Sequence, residues 1–239
     1  MTKKEDTNMA QAADFPSQAP GPDRPRRTAP KEERVQQLVW AAMETIAVHG
    51  LSGTTTAMLT EKAGLSAGII NLHFGNKDNL LVATLKQLVM EHRAGWVAAA
   101  EDETLDPAAR LWALMEAHFA PEICNPTKIA VWFAFFGEAR HREAYLGISE
   151  GFDNERSDFM DDCCEAIIAE GGYIGLDPER VSQLIESTAD GLWLDMLLYP
   201  HEVDPQLARD QMRSFLHAFF PRHFSAPDLP PCNTQGVST

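Results

Sequence analysis

The stretch 54–80, TTTAMLTEKAGLSAGIINLHFGNKDNL, constrains the fold of this chain more than any other part of it. The Thr55 hydroxyl suits the cap at the start of a short helix, and Gly64 can take the left-handed conformation that ends one. Ser66 is expected to cap a second short helix, which runs to about His73. Two helices joined by a tight turn that contains glycine form a helix-turn-helix.

The spacing of apolar residues predicts how the two short helices pack. The inward positions are Leu59, Ala63, Leu65, Ile70 and Phe74. The positions left to face outward are Ser66, Ala67, Gly68, Ile69, Asn71 and Leu72. An outward helix of this kind enters the major groove of DNA, with its first residues at the base edges. The pattern therefore indicates a DNA-binding protein, although a buried helical hairpin in an all-α adaptor has the same spacing.

The residues themselves resemble the DNA-binding domain of the TetR family of bacterial repressors. The family pattern of paired threonines followed by I-A-x-x-A-G-[VL]-S-x-G-x-[IL]-Y-x-H-F-x-x-K-x-x-L is matched at Thr54, Thr55, Leu59, Ala63, Gly64, Leu65, Ser66, Gly68, Ile70, His73, Phe74, Lys77 and Leu80. Thr60 stands where the family usually has alanine, and Asn71 stands where it usually has a tyrosine that contacts DNA. The resemblance implies a phosphate contact from Lys77. It implies operator contacts from Thr54, Thr55, Ser66, Ala67, Gly68, Asn71, Leu72 and His73.

Charge is distributed unevenly along the chain, and this favours the same interpretation. The formal net charge is −15, which by itself argues against nucleic-acid binding. Residues 24–93, however, carry nine basic and six acidic residues, whereas residues 94–239 carry nine basic and twenty-five acidic ones. In such a chain, only the basic N-terminal part, residues 24–93, is attracted to DNA phosphates, while the acidic remainder is repelled by them. An adaptor that does not bind DNA has no need of this asymmetry.

Helical periodicity extends over most of the chain, and no alternating strand pattern persists. The predicted helices after the helix-turn-helix are 77–100, 106–119, 127–146, 152–170, 178–198 and 205–219, and a first helix at 31–49 braces the head. The expected fold is all-α, with a three-helix DNA-binding domain over 31–76 and a helical body for effector binding and dimerisation over 77–221. Residues 1–30 are expected to be a disordered arm and residues 222–239 a flexible tail.

The arm ends in Arg24, Arg26 and Arg27, which are either part of a solvated tail or added contacts to DNA. No apolar run reaches the length of a membrane span, and no signal peptide is visible, so a cytoplasmic location and no membrane partner are expected. The four cysteines, Cys124, Cys163, Cys164 and Cys232, are expected to be structural or surface thiols.

Glu116, His118 and Glu122 could form a metal or acid–base cluster, which would be typical of an enzyme. Pro121 breaks the helix between the last two, and no third ligand stands at a suitable spacing. No glycine-rich phosphate loop occurs. The sequence therefore predicts no catalytic residue, no metal and no cofactor.

The body resembles one branch of the family, the choline-responsive repressors of the betaine operon (BetI type). The similar stretches are Trp132-Phe133-Ala134-Phe135-Phe136, with His141 beyond it, and Asp190-Gly191-Leu192-Trp193-Leu194. Glu138 and Arg140 depart from the small or apolar residues usual in that branch. Family members are homodimers that bind palindromic operators, and the helices 152–170 and 178–198 are the expected dimer pair.

Aromatic and acidic residues at helical spacing predict where an effector binds. Aromatic faces attract quaternary ammonium groups, and a nearby acid completes the charge match. The candidates are Trp112, Glu116, Trp132, Phe136, Asp190 and Trp193. The expected effector is a choline-like cation; the alternative is an apolar ligand, which requires Glu116, Glu138 and Asp190 to face solvent.

Overall fold

The computed structural model describes residues 30–138 and 142–227, and within these residues every regular element is an α-helix. The helices are α1 (Lys31–Gly53), α2 (Thr56–Lys62), α3 (Ile69–Phe74), α4 (Lys77–Ala100), α5 (Pro107–His118), α6 (Pro126–Phe136), α7 (Arg142–Gly171), α8 (Pro178–Leu198) and α9 (Pro205–Phe219). The predicted all-α fold is confirmed. The predicted arm, with Arg24, Arg26 and Arg27, and the end of the tail, with Cys232, lie outside the described residues, as do Arg140 and His141.

The turn between α2 and α3 forms as the sequence predicts. Gly64 has a φ of +63°, and the Leu65 amide donates to the Thr60 carbonyl at 2.9 Å, which closes the end of α2. The Thr55 hydroxyl accepts from the Met58 amide at 3.3 Å and caps the start of α2. Leu59 and Ile70, one from each helix, are completely buried and join the pair.

The start of α3 differs from the prediction. The helix begins at Ile69, and Gly68 rather than Ser66 precedes it, with no side-chain cap. Residues 66–68 instead form a turn, in which the Ile69 amide donates to the Ser66 carbonyl at 3.0 Å. This backbone bond uses the amide near the helix start, so the serine hydroxyl is not needed there.

The break between α6 and α7 also lies elsewhere than predicted. The expected helix 127–146 ends at Phe136, and the expected helix 152–170 extends back to Arg142 as part of α7. Gly137 closes α6 through a bond from its amide to the Phe133 carbonyl at 3.0 Å. A side chain at Gly151 would meet no atom within 4 Å. This glycine therefore lies on an open face of α7, where its weak helix propensity of about 1 kcal/mol is outweighed by the packing of the opposite face.

One continuous core joins head and body. Leu38, Ala42 and Ile46 of α1 are buried against it, and α1 packs extensively on α6 and on the long connecting helix α4. Movement of the body helices can therefore reach the head through direct contacts. No helix in the described ranges is long and apolar enough to cross a membrane.

The described cysteines are buried thiols of low reactivity. Burial raises the pKa of Cys124 to about 12, that of Cys163 to about 11 and that of Cys164 to about 12. Thiolate is the reactive form, so these groups behave as small apolar core residues. Their structural role agrees with the expectation from sequence.

Candidate functional site

The outward surface of the turn and α3 is available to a partner. Its exposed residues are Ser66, Ala67, Gly68, Asn71 and Leu72, while His73 is half-buried beside them. Leu72 is 75% exposed, so its side chain is free to contact a partner. Ile69 was expected on this surface, but it packs against the core of the head. The remaining residues form a shallow face of small and polar groups, to which base edges could approach closely.

The two threonines at the start of α2 have different positions. Thr55 is exposed, whereas Thr54 is 1% exposed and its hydroxyl donates to the Gly50 carbonyl at 2.7 Å. The expected contact from the Thr54 side chain to DNA is therefore corrected: this residue ties the end of α1 to the start of α2. A buried hydroxyl that already donates internally is not available to phosphate.

Lys77 braces the same junction from the start of α4. Its ammonium group donates to the Thr54 carbonyl at 2.9 Å, and the side chain is half-buried. A lysine has three donors, so two remain for a phosphate. Asn76 caps α4 by accepting from the Asn79 amide at 2.8 Å, and the helix start at Lys77 favours an anion in the same place.

Two substitutions should separate base reading from phosphate contact. We expect Lys77→Ala to weaken binding to operator and random DNA alike, and to reduce the slope of log affinity against log salt by about 1. Asn71→Ala should instead cost about 1–3 kcal/mol on the operator alone, because an asparagine side chain pairs with adenine. Fluorescence anisotropy with both DNAs at several salt concentrations measures this. Equal losses on both DNAs for Asn71→Ala would remove its base-reading role, and a protein without salt-sensitive DNA affinity would favour the adaptor.

A cavity of about 270 Å³ lies in the body, where five helices meet. Its lining residues are His92 of α4, His118 of α5, Trp132 and Phe136 of α6, Asp153 and Arg156 of α7, and Glu186, Asp190 and Trp193 of α8. Four of the six predicted effector residues, Trp132, Phe136, Asp190 and Trp193, are therefore brought together. The cavity combines aromatic faces with carboxylates, as a site for a small organic cation requires.

Aromatic contacts fix the shape of the cavity wall. The Trp132 and Phe136 rings lie 5.6 Å apart between centroids, on one face of α6. The Trp193 ring stacks on the His118 ring at 4.0 Å with 13° between their planes. His92 meets the edges of both tryptophans, at 6.2 Å from Trp132 and 6.0 Å from Trp193. These ring–ring contacts fix the relative orientation of the aromatic side chains.

The two histidines are neutral. Nε2 of His92 and Nδ1 of His118 lie 3.2 Å apart and share one hydrogen bond, whose direction depends on the tautomer. Desolvation, followed by the charge of Arg156, lowers the pKa of His92 to about 3. Desolvation also lowers the pKa of His118 well below its usual value, with His92 and Arg156 adding to the effect. Neither histidine contributes positive charge to the cavity near neutral pH.

The charged lining residues come from α7 and α8. The Arg156 guanidinium lies 3.3 Å from a Glu186 oxygen and 3.9 Å from an Asp153 oxygen. Desolvation raises the pKa of Glu186 and that of Asp190, while Arg156 lowers both and Asp153 raises both. The Ser157 hydroxyl also lies 3.4 Å from Glu186. Three carboxyl groups therefore face one guanidinium.

Two predicted effector residues lie outside this cavity. Trp112 is covered by the Arg213 guanidinium of α9, 4.0 Å from the ring centroid, and Glu116 is exposed on the surface of α5. Their grouping with the cavity is corrected, because spacing of four residues places them on one face of α5 but not on the face from which His118 lines the cavity. Glu122 is exposed while His118 is buried, so they do not form the metal cluster considered above. In the described ranges, no group of three or more His, Cys, Asp or Glu side chains is placed to hold a metal ion.

The sequence reasoning missed the polar residues that line the cavity. These are His92, Asp153, Arg156 and Glu186. From the sequence, His118 is a candidate only for a metal or acid–base cluster. A signal existed for His118, which follows Leu111, Leu114 and Met115 in the buried stripe of α5. A polar group within an apolar stripe indicates a cavity or an internal partner. The charged residues of α7 gave no such signal, since that helix carries acidic residues all along its length.

Comparison with known proteins places the chain in a family. Residues 38–84 match the model of bacterial regulatory proteins of the tetR family, and residues 107–221 match the C-terminal model of BetI-type transcriptional repressors. The transcriptional regulator BetI of Burkholderia thailandensis is 32% identical over 170 residues, which cover 69% of this chain and 82% of the relative. BetI of Paraburkholderia phymatum is 29% identical over 169 residues, covering 69% and 81%.

Solved structures show the same fold. A putative transcriptional regulator from Pseudomonas aeruginosa aligns with a TM-score of 0.69 at 24% identity, covering 82% of this chain and 94% of that one. A putative regulator from Saccharomonospora viridis, solved in complex with choline, aligns with a TM-score of 0.68 at 17% identity, covering 78% and 97%. With its helix-turn-helix head and BetI-type body, the chain belongs to the TetR family and is a DNA-binding transcriptional regulator.

Proposed function

We propose that the protein is a homodimeric repressor, which a small organic cation releases from a palindromic operator. The head, residues 31–76, reads DNA through Thr55, Ser66, Ala67, Gly68, Asn71, Leu72 and His73, with Lys77 on phosphate. The body, residues 77–221, binds the effector and the second subunit. Release requires the effector to prefer the conformation that cannot bind the operator.

The surface of α8 supports dimerisation through α7 and α8. Leu184, Leu194 and Leu198 are exposed along α8, although leucines of a helix that packs in one chain are mostly buried. Gly191 lies on the same exposed side, and a side chain there would meet no atom within 4 Å. A second copy of the chain would cover this apolar side by two-fold symmetry, which also sets two heads on two half-sites.

The cavity at Trp132 and Trp193 carries the proposal of a cationic effector. Its aromatic rings offer cation–π attraction of about 0.5–2 kcal/mol each when desolvated. Glu186 and Asp190 line it, whereas an apolar ligand would require the acids to face away. The volume of the cavity, about 270 Å³, is slightly below the roughly 300–1,000 Å³ of typical ligand pockets, so the effector is small. The choline complex of the Saccharomonospora viridis regulator supports a quaternary ammonium compound.

Calorimetric titration with choline, betaine and 3,3-dimethylbutan-1-ol, the uncharged isostere of choline, tests this proposal. We expect choline to bind at least tenfold more tightly than the neutral isostere, and Trp132→Leu to weaken choline binding by about 1–2 kcal/mol through the lost cation–π attraction. Trp112→Leu is the matched control, because Trp112 lies outside the cavity. The cation site is wrong if the neutral isostere binds as tightly as choline, or if both tryptophan variants bind choline like the wild type.

A genomic pull-down of bound DNA identifies the operator. The sequence of the recovered fragments shows whether two half-sites are related by two-fold symmetry. Addition of choline before the pull-down should reduce recovery, since release is the proposed response. Unchanged or increased recovery with an effector that binds in calorimetry would show that the effector promotes DNA binding instead.

A further inference from the structure

Arg156 links α7 to α8 inside the proposed effector cavity. Its guanidinium lies 3.3 Å from a Glu186 oxygen of α8, and the side chain is only 13% exposed. Its second carboxylate, Asp153, stands one turn earlier on α7, at 3.9 Å, and is 55% exposed at the rim. The guanidinium is therefore held at the inner carboxylate, with an alternative partner closer to solvent.

Among the described residues that line the cavity, Arg156 alone carries a positive charge near neutral pH. The histidines stay neutral, and the remaining charged residues are Asp153, Glu186 and Asp190. The charge of Arg156 acts on Glu186, on Asp190 and on both histidines. Without it, the cavity would hold carboxylates and aromatic rings with no cation. The side chain thus supplies internally the charge that a cationic effector would bring.

We propose that Arg156 is a built-in competitor of the effector, which binds by displacing the guanidinium from Glu186 towards Asp153. Two cations cannot share the Glu186 carboxylate without mutual repulsion, because like charges this close together repel strongly in a site that is partly shielded from water. Displacement breaks the ion pair between α7 and α8, the two helices proposed to form the dimer interface. This inference rests on the proposed cationic effector. It identifies Arg156 as the residue that limits the affinity of the protein for that effector.

The other role open to Arg156 is to receive a carboxylate of the effector. Arginine does this well when its donors are free. Here the guanidinium already faces Glu186 and Asp153, and an incoming anion would also meet Asp190. The charges around the site therefore favour competition with a cation over recognition of an anion.

The test is titration of Arg156→Gln with choline, betaine and 3,3-dimethylbutan-1-ol. Removal of the competing charge should increase choline affinity about tenfold or more, leave the neutral isostere within about twofold, and increase betaine affinity less than choline affinity, because betaine carries a carboxylate. Glu186→Gln should lower choline affinity. Arg93→Gln is the matched control, since Arg93 donates to both Glu155 oxygens at 2.6 Å outside the cavity.

The outcomes separate this inference from the proposed function. If the wild type binds choline and Arg156→Gln binds it equally or more weakly, the competitor role is wrong while the cationic effector stands. Loss of betaine binding with unchanged choline binding would assign Arg156 to the carboxylate instead. If neither protein binds a quaternary ammonium compound, both proposals fail. Arg156→Met, which keeps an unbranched apolar stem, replaces the glutamine variant if that variant does not fold by circular dichroism.

Discussion

Ala189→Asp should unfold the body rather than merely separate the subunits. Ala189 is completely buried on α8, between Ile185 and Leu192 of the same apolar stripe. An aspartate there loses its hydration without a partner, and we expect the free energy of unfolding to fall by about 4–5 kcal/mol or more. That loss is comparable with the whole stability of a typical domain, about 5–15 kcal/mol. Urea denaturation followed by circular dichroism measures it.

Gly191→Asp introduces the same side chain two residues further along α8, at an open position. We expect this control to fold with near-native stability and to be a monomer in sedimentation, because the new carboxylate lies in the proposed dimer interface. A stable Ala189→Asp protein would contradict the burial of α8 in its own chain. A dimeric Gly191→Asp protein would place the interface away from this side of α8.

The sequence alone could not show which residues of α8 are buried within their own chain and which lie in the proposed dimer interface. Periodicity identifies an apolar stripe that includes Ala189 and Leu192, but two surfaces can cover such a stripe, another helix of the chain or a second chain. In the structure, α8 packs on α6, α7 and α9 and buries both residues. Leucines at other positions, such as Leu194, stay exposed. Other helices of the same chain cover part of the apolar surface of α8. Only the packed structure shows which of its apolar residues stay exposed for a second chain.

The head was more predictable than the body, because its signals are local. A cap at Thr55 and a left-handed glycine at Gly64 depend on residues a few positions away, and both formed as expected. Thr54 was misassigned because its match to the family pattern does not show whether the side chain points in or out. Its hydroxyl bonds to Gly50, whose φ of +67° kinks α1 and turns that carbonyl within reach.

The cavity was predictable only in part, since its residues come from five helices. Trp132 and Phe136 share a face by helical spacing, and their rings do lie together. Their neighbours Arg156 and Glu186 belong to other helices, and no spacing rule connects those helices with α6. Trp112 and Glu116 are also four residues apart, so the sequence predicted that they line the cavity just as Trp132 and Phe136 do. Which face of α5 meets the cavity depends on the angle at which that helix packs on α4.

Leu72→Glu should strongly weaken specific operator binding without affecting the fold. Leu72 is 75% exposed on α3, so the change removes no core contact. In the proposed complex it places a carboxylate among phosphates and removes an apolar group suited to thymine methyls. We expect a loss of about 1–3 kcal/mol at each of two half-sites, and the total of about 2–6 kcal/mol corresponds to a decrease in affinity of roughly 30-fold to 2 × 10⁴-fold.

Val48→Glu is the matched control for this variant. Val48 is also 75% exposed and also lies in the head, but at the end of α1 beside Pro126 and Leu197 of the body. The Val48 variant should keep operator affinity within a few fold of the wild type at the same salt concentration, whereas the Leu72 variant should show the larger loss given above. Anisotropy titrations of both variants, with thermal unfolding to show that both are folded, measure the difference. Wild-type operator affinity in the Leu72 variant would show that α3 does not face the operator, because a carboxylate added next to the phosphates must weaken binding.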